Sequence, residues 1–209
     1  MFEVEYKGAN SVAISTKKGT IVTDPKLSLV GLKDANVKDA IELSTEARFA
    51  LNADTARLNI EGPGEYGIAD FDIHGVAAQR HLDADGKAST IYRIEAGEIR
   101  VALIGNIYEK VSEAQLEEIG LIDVLIIPVG GNGYTLDATG AATLTRQIDP
   151  KVVVPVHYAD AGIKYEVAQD DFETFAKELG GTVEEAPKLK LKTAAALPET
   201  LTIYKLARS

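Results

Sequence analysis

Residues 122–158, IDVLIIPVGGNGYTLDATGAATLTRQIDPKVVVPVHY, constrain the fold more than any other stretch. The runs 124–129 and 151–156 are rich in Val and Ile with almost no polar interruption, the pattern of strands buried on both faces of a parallel sheet. Parallel neighbours need a crossover, so a helix must lie between them. Residues 135–137 offer caps, Ala141, Leu144 and Ile148 follow helical spacing, and Asp149-Pro150 stops the helix. The result is a right-handed βαβ unit. In α/β folds the loops after the carboxyl ends of strands form the sites, which places residues 130–134 and His157 at one rim.

The rest of the chain arranges itself around that unit. Residues 2–6, 11–15 and 20–23 are short alternating strands that open the domain as an antiparallel meander, ending at Asp24-Pro25. Strands are expected over 39–43 and 57–60, with a short helix over 46–51 between them. The cluster Gly62-Pro63-Gly64-Glu65-Tyr66-Gly67 reads as a turn, and Phe71, Ile73 and Val76 alternate behind it as a hairpin strand. A tight turn is expected over 83–87 (DADGK), followed by a hairpin of 90–94 with 99–104. Residues 112–119 (SEAQLEEI) form a helix capped by Ser112 and Gln115, and 170–179 form an amphipathic helix that Gly180-Gly181 ends. Strands over 189–191 and 201–206 finish the chain. Strands first, then strands alternating with helices, predict mixed sheets packed face to face with helices outside.

Charge and cysteine usage narrow the function. A net charge of −10 without a basic cluster excludes a nucleic-acid partner, and the alternating Lys188, Lys190 and Lys192 read as one exposed strand face. With no cysteine there is no disulfide, thiolate metal site or cysteine nucleophile, so any metal must be held by His, Asp or Glu, and there are three histidines. No signal segment or apolar membrane span is read, which makes a cytoplasmic protein without a membrane partner the expectation.

Several segments, in order, resemble the metallo-β-lactamase superfamily: FEVEYKGANSVAI, TIVTDP, IEGPGEYGIADFDIHGV, SEAQLEEIG, DVLIIPVGGNGYTLD and VVVPVHY. The nearest likeness is to its compact metal-dependent hydrolase branch, which also looks like the L-ascorbate-6-phosphate lactonases. The resemblance implies an α/β (α+β) fold, a four-layer αβ/βα sandwich of two mixed β-sheets flanked by helices, in a single domain over 1–209. It also implies one or two zinc, manganese or iron ions at the edge between the sheets, and a metal-bound hydroxide that hydrolyses esters, lactones or phosphodiesters.

The family's metal-binding residues carry over unevenly. Asp24 matches the aspartate that ends the early strand and orients the ligand loop. The His-x-His-x-Asp-His motif falls on Thr45, Glu46, Ala47, Arg48, Phe49 and Ala50, so its four ligands are missing, and the hydrophobic residues are expected to fill the metal space. The third-motif histidine falls on Arg80 or His81. Asn106 stands at the bridging aspartate, where a neutral amide can hold a hydrogen bond but cannot bridge two cations. His157 matches the closing histidine.

A catalytic zinc site uses three protein ligands and a water, so no metal or other cofactor is expected; zinc or manganese belongs to the alternative below. His74 is read as structural and His81 as a surface residue. The 130–133 loop is read as a tight turn, and Ser44-Thr45 lacks a base at useful spacing. The expected function is a binding or assembly module without the family's dinuclear hydrolase activity, a pseudoenzyme with a vestigial site of His157, Asn106 and Asp24. Its expected partners are a small molecule or a protein, including further copies of itself. The alternative is a hydrolase of a lactone, ester or phosphodiester with a reduced site centred on His157.

Overall fold

The computed structural model describes residues 1–81 and 88–209. The turn expected over 83–87 lies outside the described residues.

The opening meander is β1 (Phe2–Gly8), β2 (Ser11–Ser15) and β3 (Thr20–Thr23), paired antiparallel, after which β4 (Ile41–Ser44) and β5 (Leu58–Glu61) join in parallel. Alternation of buried and half-buried residues along β1 turns Phe2, Val4 and Tyr6 inward. Next come β6 (Gly64–Ile68), β7 (Phe71–Gln79), β8 (Ala88–Ala96) and β9 (Ile99–Leu103), an antiparallel run that starts the second sheet. Helix α1 (Glu113–Ile119) follows, then β10 (Val124–Pro128), α2 (Ala138–Ile148), β11 (Val152–Val156) and α3 (Phe172–Leu179). The chain closes with β12 (Thr182–Ala186), β13 (Leu189–Leu191) and β14 (Thr202–Leu206).

The first sheet has the order β13-β1-β2-β3-β4-β5, and the second has the order β12-β14-β11-β10-β9-β8-β7-β6. Both are mixed, and the three helices flank them. Every residue of β10 and β11 is buried, as their unbroken apolar runs predict, and the two strands pair in parallel from Val124↔Val152 to Pro128↔Val156. Asp137 caps α2 by accepting from Gly140 N at 2.7 Å, and Asp149 ends it in the left-handed conformation. Ser112 and Gln115 form the expected reciprocal capping box on α1. One continuous core cluster runs from Val4 and Ile14 in the first sheet to Ile94, Leu103 and Val153 in the second. Among the described residues no helix is long and apolar enough to cross a membrane.

Two expectations change, and one strand was not foreseen. The helix over 46–51 is only a 3-10 turn at Ala47–Phe49. Gly64 to Gly67 belong to β6, paired with β7, rather than to a turn. Strand β12 carries no apolar alternation because it is an edge strand with every residue exposed or half-buried.

Candidate active site

The two sheets meet at a rim built from strand ends. At the end of β3, Asp24 takes φ +41° and turns its buried carboxylate onto the next strand end, where it accepts from Thr45 N and Thr45 Oγ1, each at 2.7 Å. Burial pushes this carboxyl up to about 7 even though both Thr45 donors favour its charged form. Thr45 O in turn accepts from Thr90 N at 2.9 Å, tying the end of β4 to β8 of the other sheet. Gly105 makes this approach possible, since a Cβ there would lie 2.6 Å from Thr45 Cβ.

Across the rim, β11 ends at His157, which also adopts a left-handed φ, +51°, and donates its N–H to Ala9 O in the β1–β2 turn at 2.9 Å. Its ring is held by amides. Asn10 Nδ2 donates to Asn106 Oδ1 at 2.9 Å, which leaves Asn10 Oδ1 to face His157 Nδ1 at 3.0 Å. The direction of this chain is set by Glu46. Asn106 Nδ2 lies close enough to strengthen the acidity of the Glu46 carboxylate, although it is not aligned into a hydrogen bond, and an amide oxygen there would be repelled. His157 Nδ1 is therefore the protonated nitrogen, and Nε2 carries a lone pair. That Nε2 is buried and has no partner. Burial, and secondarily the Arg48 cation, push the imidazole down to about 3, so it is neutral at physiological pH.

The loop after β4 brings charge into the place expected to be hydrophobic. Glu46, only 5% exposed, lies between two guanidinium groups, with Oε2 2.9 Å from Arg48 Nε and 2.7 Å from Arg80 Nε. These are ion pairs rather than aligned hydrogen bonds, since neither Nε–H points along the contact. Burial raises the Glu46 pKa, and Arg48 and Arg80 counter the rise. The Arg48 guanidinium lies over the Phe49 ring at 4.5 Å and the Tyr134 ring at 5.1 Å. Arg80, not His81, thus reaches the site from the end of β7. His81 is half-buried, its Nδ1 3.0 Å from Ile107 O, and is not among the residues lining the cavity.

These groups surround a cavity of about 110 Å³, with Asp24, Arg48, Phe49, Tyr134, His157 and Gln169 among its walls. The expectation that hydrophobic residues fill this space is corrected: Phe49 is only half-buried and forms a wall, because Arg48 takes up the room beside it. Of the expected site residues, Asp24 and His157 line the cavity, while Asn106 stands behind Asn10. His74 lies elsewhere on β7, beside Glu65 and Glu118. The 130–134 loop does meet His157. A Cβ at Gly130 would come within 2.3 Å of His157 O, and the Tyr134 ring centre lies 5.5 Å from that of His157. Sequence reasoning missed Asn10, Tyr165, whose ring stacks on His157 at 4.7 Å, and Gln169. It named Arg48 only as a non-ligand.

The residues do not fit the family's two-metal centre. Among the described residues no three His, Asp or Glu side chains converge as a metal site. Asp24 is engaged by Thr45, Glu46 is engaged by two cations, and Asn106 is neutral, which leaves His157 Nε2 as a free donor.

A model of the beta-lactamase superfamily domain matches residues 3–157. The chain belongs to this family. A Thermotoga maritima structure of the metallo-beta-lactamase superfamily, named for zinc-dependent hydrolysis, superposes with a TM-score of 0.78 at 25% identity, covering 98% of this chain and 97% of that one. The metallo hydrolase Igni18 of Ignicoccus hospitalis shares the fold at 20% identity, with a TM-score of 0.65 over 85% of this chain and 90% of its own. A UPF0173 protein of Pyrococcus furiosus is 39% identical over 88 residues, 42% of this chain and 37% of that protein. A UPF0173 metal-dependent hydrolase of Thermoplasma acidophilum is 35% identical over 71 residues, 32% of this chain and 29% of that protein. The matched stretches therefore span well under half of these two relatives. The expectation of a binding or assembly module without hydrolase activity is corrected by these comparisons, because the similar proteins are named as hydrolases. The motif's ligands are missing, yet the rim retains a cavity walled by charged groups.

Proposed function

We propose that this protein is a hydrolase of a lactone, ester or phosphodiester, acting in the cavity in front of His157. The observation that carries the reading is the buried, unpartnered Nε2 of a neutral His157, its tautomer set through Asn10, on a residue that lines the same cavity as Arg48. The names of the UPF0173 and Thermotoga relatives support the reaction class.

In this reading His157 Nε2 accepts a hydrogen bond from the attacking water and orients it; as the water oxygen bonds to the carbonyl or phosphoryl centre its proton passes to the departing oxygen, and Nδ1–H···Oδ1 of Asn10 keeps the ring from turning. The Arg48 guanidinium, fixed by Glu46 and two aromatic faces, meets the negative charge that develops on the carbonyl or phosphoryl oxygen. Asp24 shapes the loop through Thr45 without touching the reacting atoms. No step is assigned to a metal, since the surrounding donors do not suit the family's centre. A cytoplasmic location accords with the absence of cysteine.

The test is a panel of a γ-lactone, a p-nitrophenyl ester and bis-p-nitrophenyl phosphate, assayed as purified, after chelation, and with zinc or manganese added. Turnover of one class, reduced about 100-fold by His157→Ala, is expected. Failure across the panel in all three conditions, or full activity in His157→Ala, overturns the proposal.

A further inference from the structure

Two residues that line this cavity each carry a buried acceptor without a donor. One is His157 Nε2; the other is Gln169 Oε1, whose amide nitrogen is already committed to Val167 O at 3.0 Å and Ala168 O at 3.3 Å. Turning the Gln169 amide over would set its oxygen against two carbonyls, so Oε1 stays without a partner, on the Gly130 side of a residue that lines the cavity. Buried acceptors left unsatisfied are costly, and a site built to hydrogen-bond a hydroxyl discriminates strongly for it. A cation faces the same space. Arg48 holds Nε 2.9 Å from Glu46 Oε2 as an ion pair and reaches Glu46 Oε1 with Nη2 at 3.4 Å, while its Nη1 makes no hydrogen bond among the described residues. The surfaces between are apolar or aromatic: Leu27, Phe49, Tyr134 and Tyr165.

We propose that the cavity binds a small hydroxy-carboxylate with a compact apolar body, its carboxylate on Arg48 and its hydroxyl donating to His157 Nε2 or Gln169 Oε1. The carboxylate is favoured over a phosphate by charge. Arg48 already shares its cation with Glu46, and the cavity that Lys26 lines is also lined by Glu166 and Asp24, so the acids offset the positive charge that a second negative charge would need. Two lone pairs in the wall would also repel the extra oxygens of a phosphate. At about 110 Å³ the cavity is smaller than an enclosed apolar one of about 150 Å³ that takes up benzene, which limits the ligand to a single ring or short chain with part of it in the open mouth. The inference deepens the hydrolase reading, on which its link to turnover rests, while the binding itself is measured without any reaction.

Calorimetric or NMR titration of the whole chain with 4-hydroxybenzoate tests it, with benzoate, which lacks the donor, 4-hydroxybenzamide, which lacks the charge, and inorganic phosphate as comparisons. 4-Hydroxybenzoate is expected to bind at least about tenfold tighter than each of the other three, one hydrogen bond or ion pair accounting for a difference of that order. Arg48→Gln should remove about tenfold of that affinity, with Arg48→Lys recovering part of it. Thermal melts show whether each variant is folded, and Gln169→Leu, which leaves the Glu46 pairs untouched, supplies a second variant expected to weaken 4-hydroxybenzoate but not benzoate. Equal binding of the benzamide or of benzoate, tighter binding of phosphate, indifference to both Arg48→Gln and Gln169→Leu, or no binding at all overturns the proposal. Selective binding together with failure of the hydrolysis panel would sink the hydrolase reading alone. Turnover without such binding would sink this one alone.

Discussion

Two ionic clusters in this protein differ in what holds them. Along the β1 and β13 edge, Lys188 reaches Glu3 at 2.6 Å and Glu5 at 3.1 Å, with Lys190 3.6 Å from Glu3, and none of the four side chains is fully buried, unlike Glu46. At the rim, Glu46 sits between Arg48 and Arg80 behind the cavity, next to buried Asp24 and His157. The distances are alike, but solvent is not. Water screens the edge cluster and replaces any lost partner, so its pairs decorate a sheet face. Water reaches the rim poorly, so each charge there depends on its neighbours, and the neighbours decide protonation. The distances alone would not have told a solvated face from a site.

The sharpest way to break this contrast is to remove the central anion. Glu46→Gln leaves two confined cations facing each other and is expected to destabilise the protein by about 3 kcal/mol, read from a urea denaturation midpoint. It should also free the Asn10–Asn106 chain to reverse, detectable as a change of His157 tautomer by ¹⁵N NMR.

A pH series sharpens the contrast further. His157 is depressed to about 3 from 6.5, so the unfolded chain binds more protons between those values, and stability is lost as pH falls through that window. Asp24 is raised to about 7 from 3.8, so the folded chain binds more protons there, and stability is lost as pH rises toward 7. The two slopes oppose each other from about 4 to 6.5. His157→Gln removes one of them, and the stability difference between wild type and variant should shift by about 4 kcal/mol in favour of wild type as pH rises from 3 to 6.5. A difference that stays constant would mean that His157 is not a neutral, buried imidazole.

The smallest effect belongs to the edge. Glu3→Gln should leave the urea midpoint unchanged, and high salt should abolish whatever difference appears. A loss comparable to that of Glu46→Gln would erase the distinction between the clusters.

The βαβ unit was legible because its information is local: buried parallel strands must be apolar throughout, and the caps of α2 lie within a few residues of its ends. Strand β12 was not legible, since an exposed edge strand carries no pattern to read. At the site, Asp24 and His157 were legible as strand ends with a family match, and both line the cavity. Asn10 gave no signal. It is 147 positions from His157 and becomes its partner only when the β1–β2 turn of one sheet meets the end of β11 in the other. Arg48 was visible only as the wrong residue in a ligand motif.

The sequence by itself therefore determined the two-sheet architecture, the family, and the loss of the usual ligand set, because apolar periodicity, turn residues and motif identity are properties of short stretches. Tertiary structure alone decided what replaced the ligands. Whether Arg48 turns outward or into the rim, which nitrogen of His157 bears the proton, and whether Phe49 fills or walls the cavity all depend on burial and on partners brought together across the two sheets. Those terms do not exist until the sheets meet.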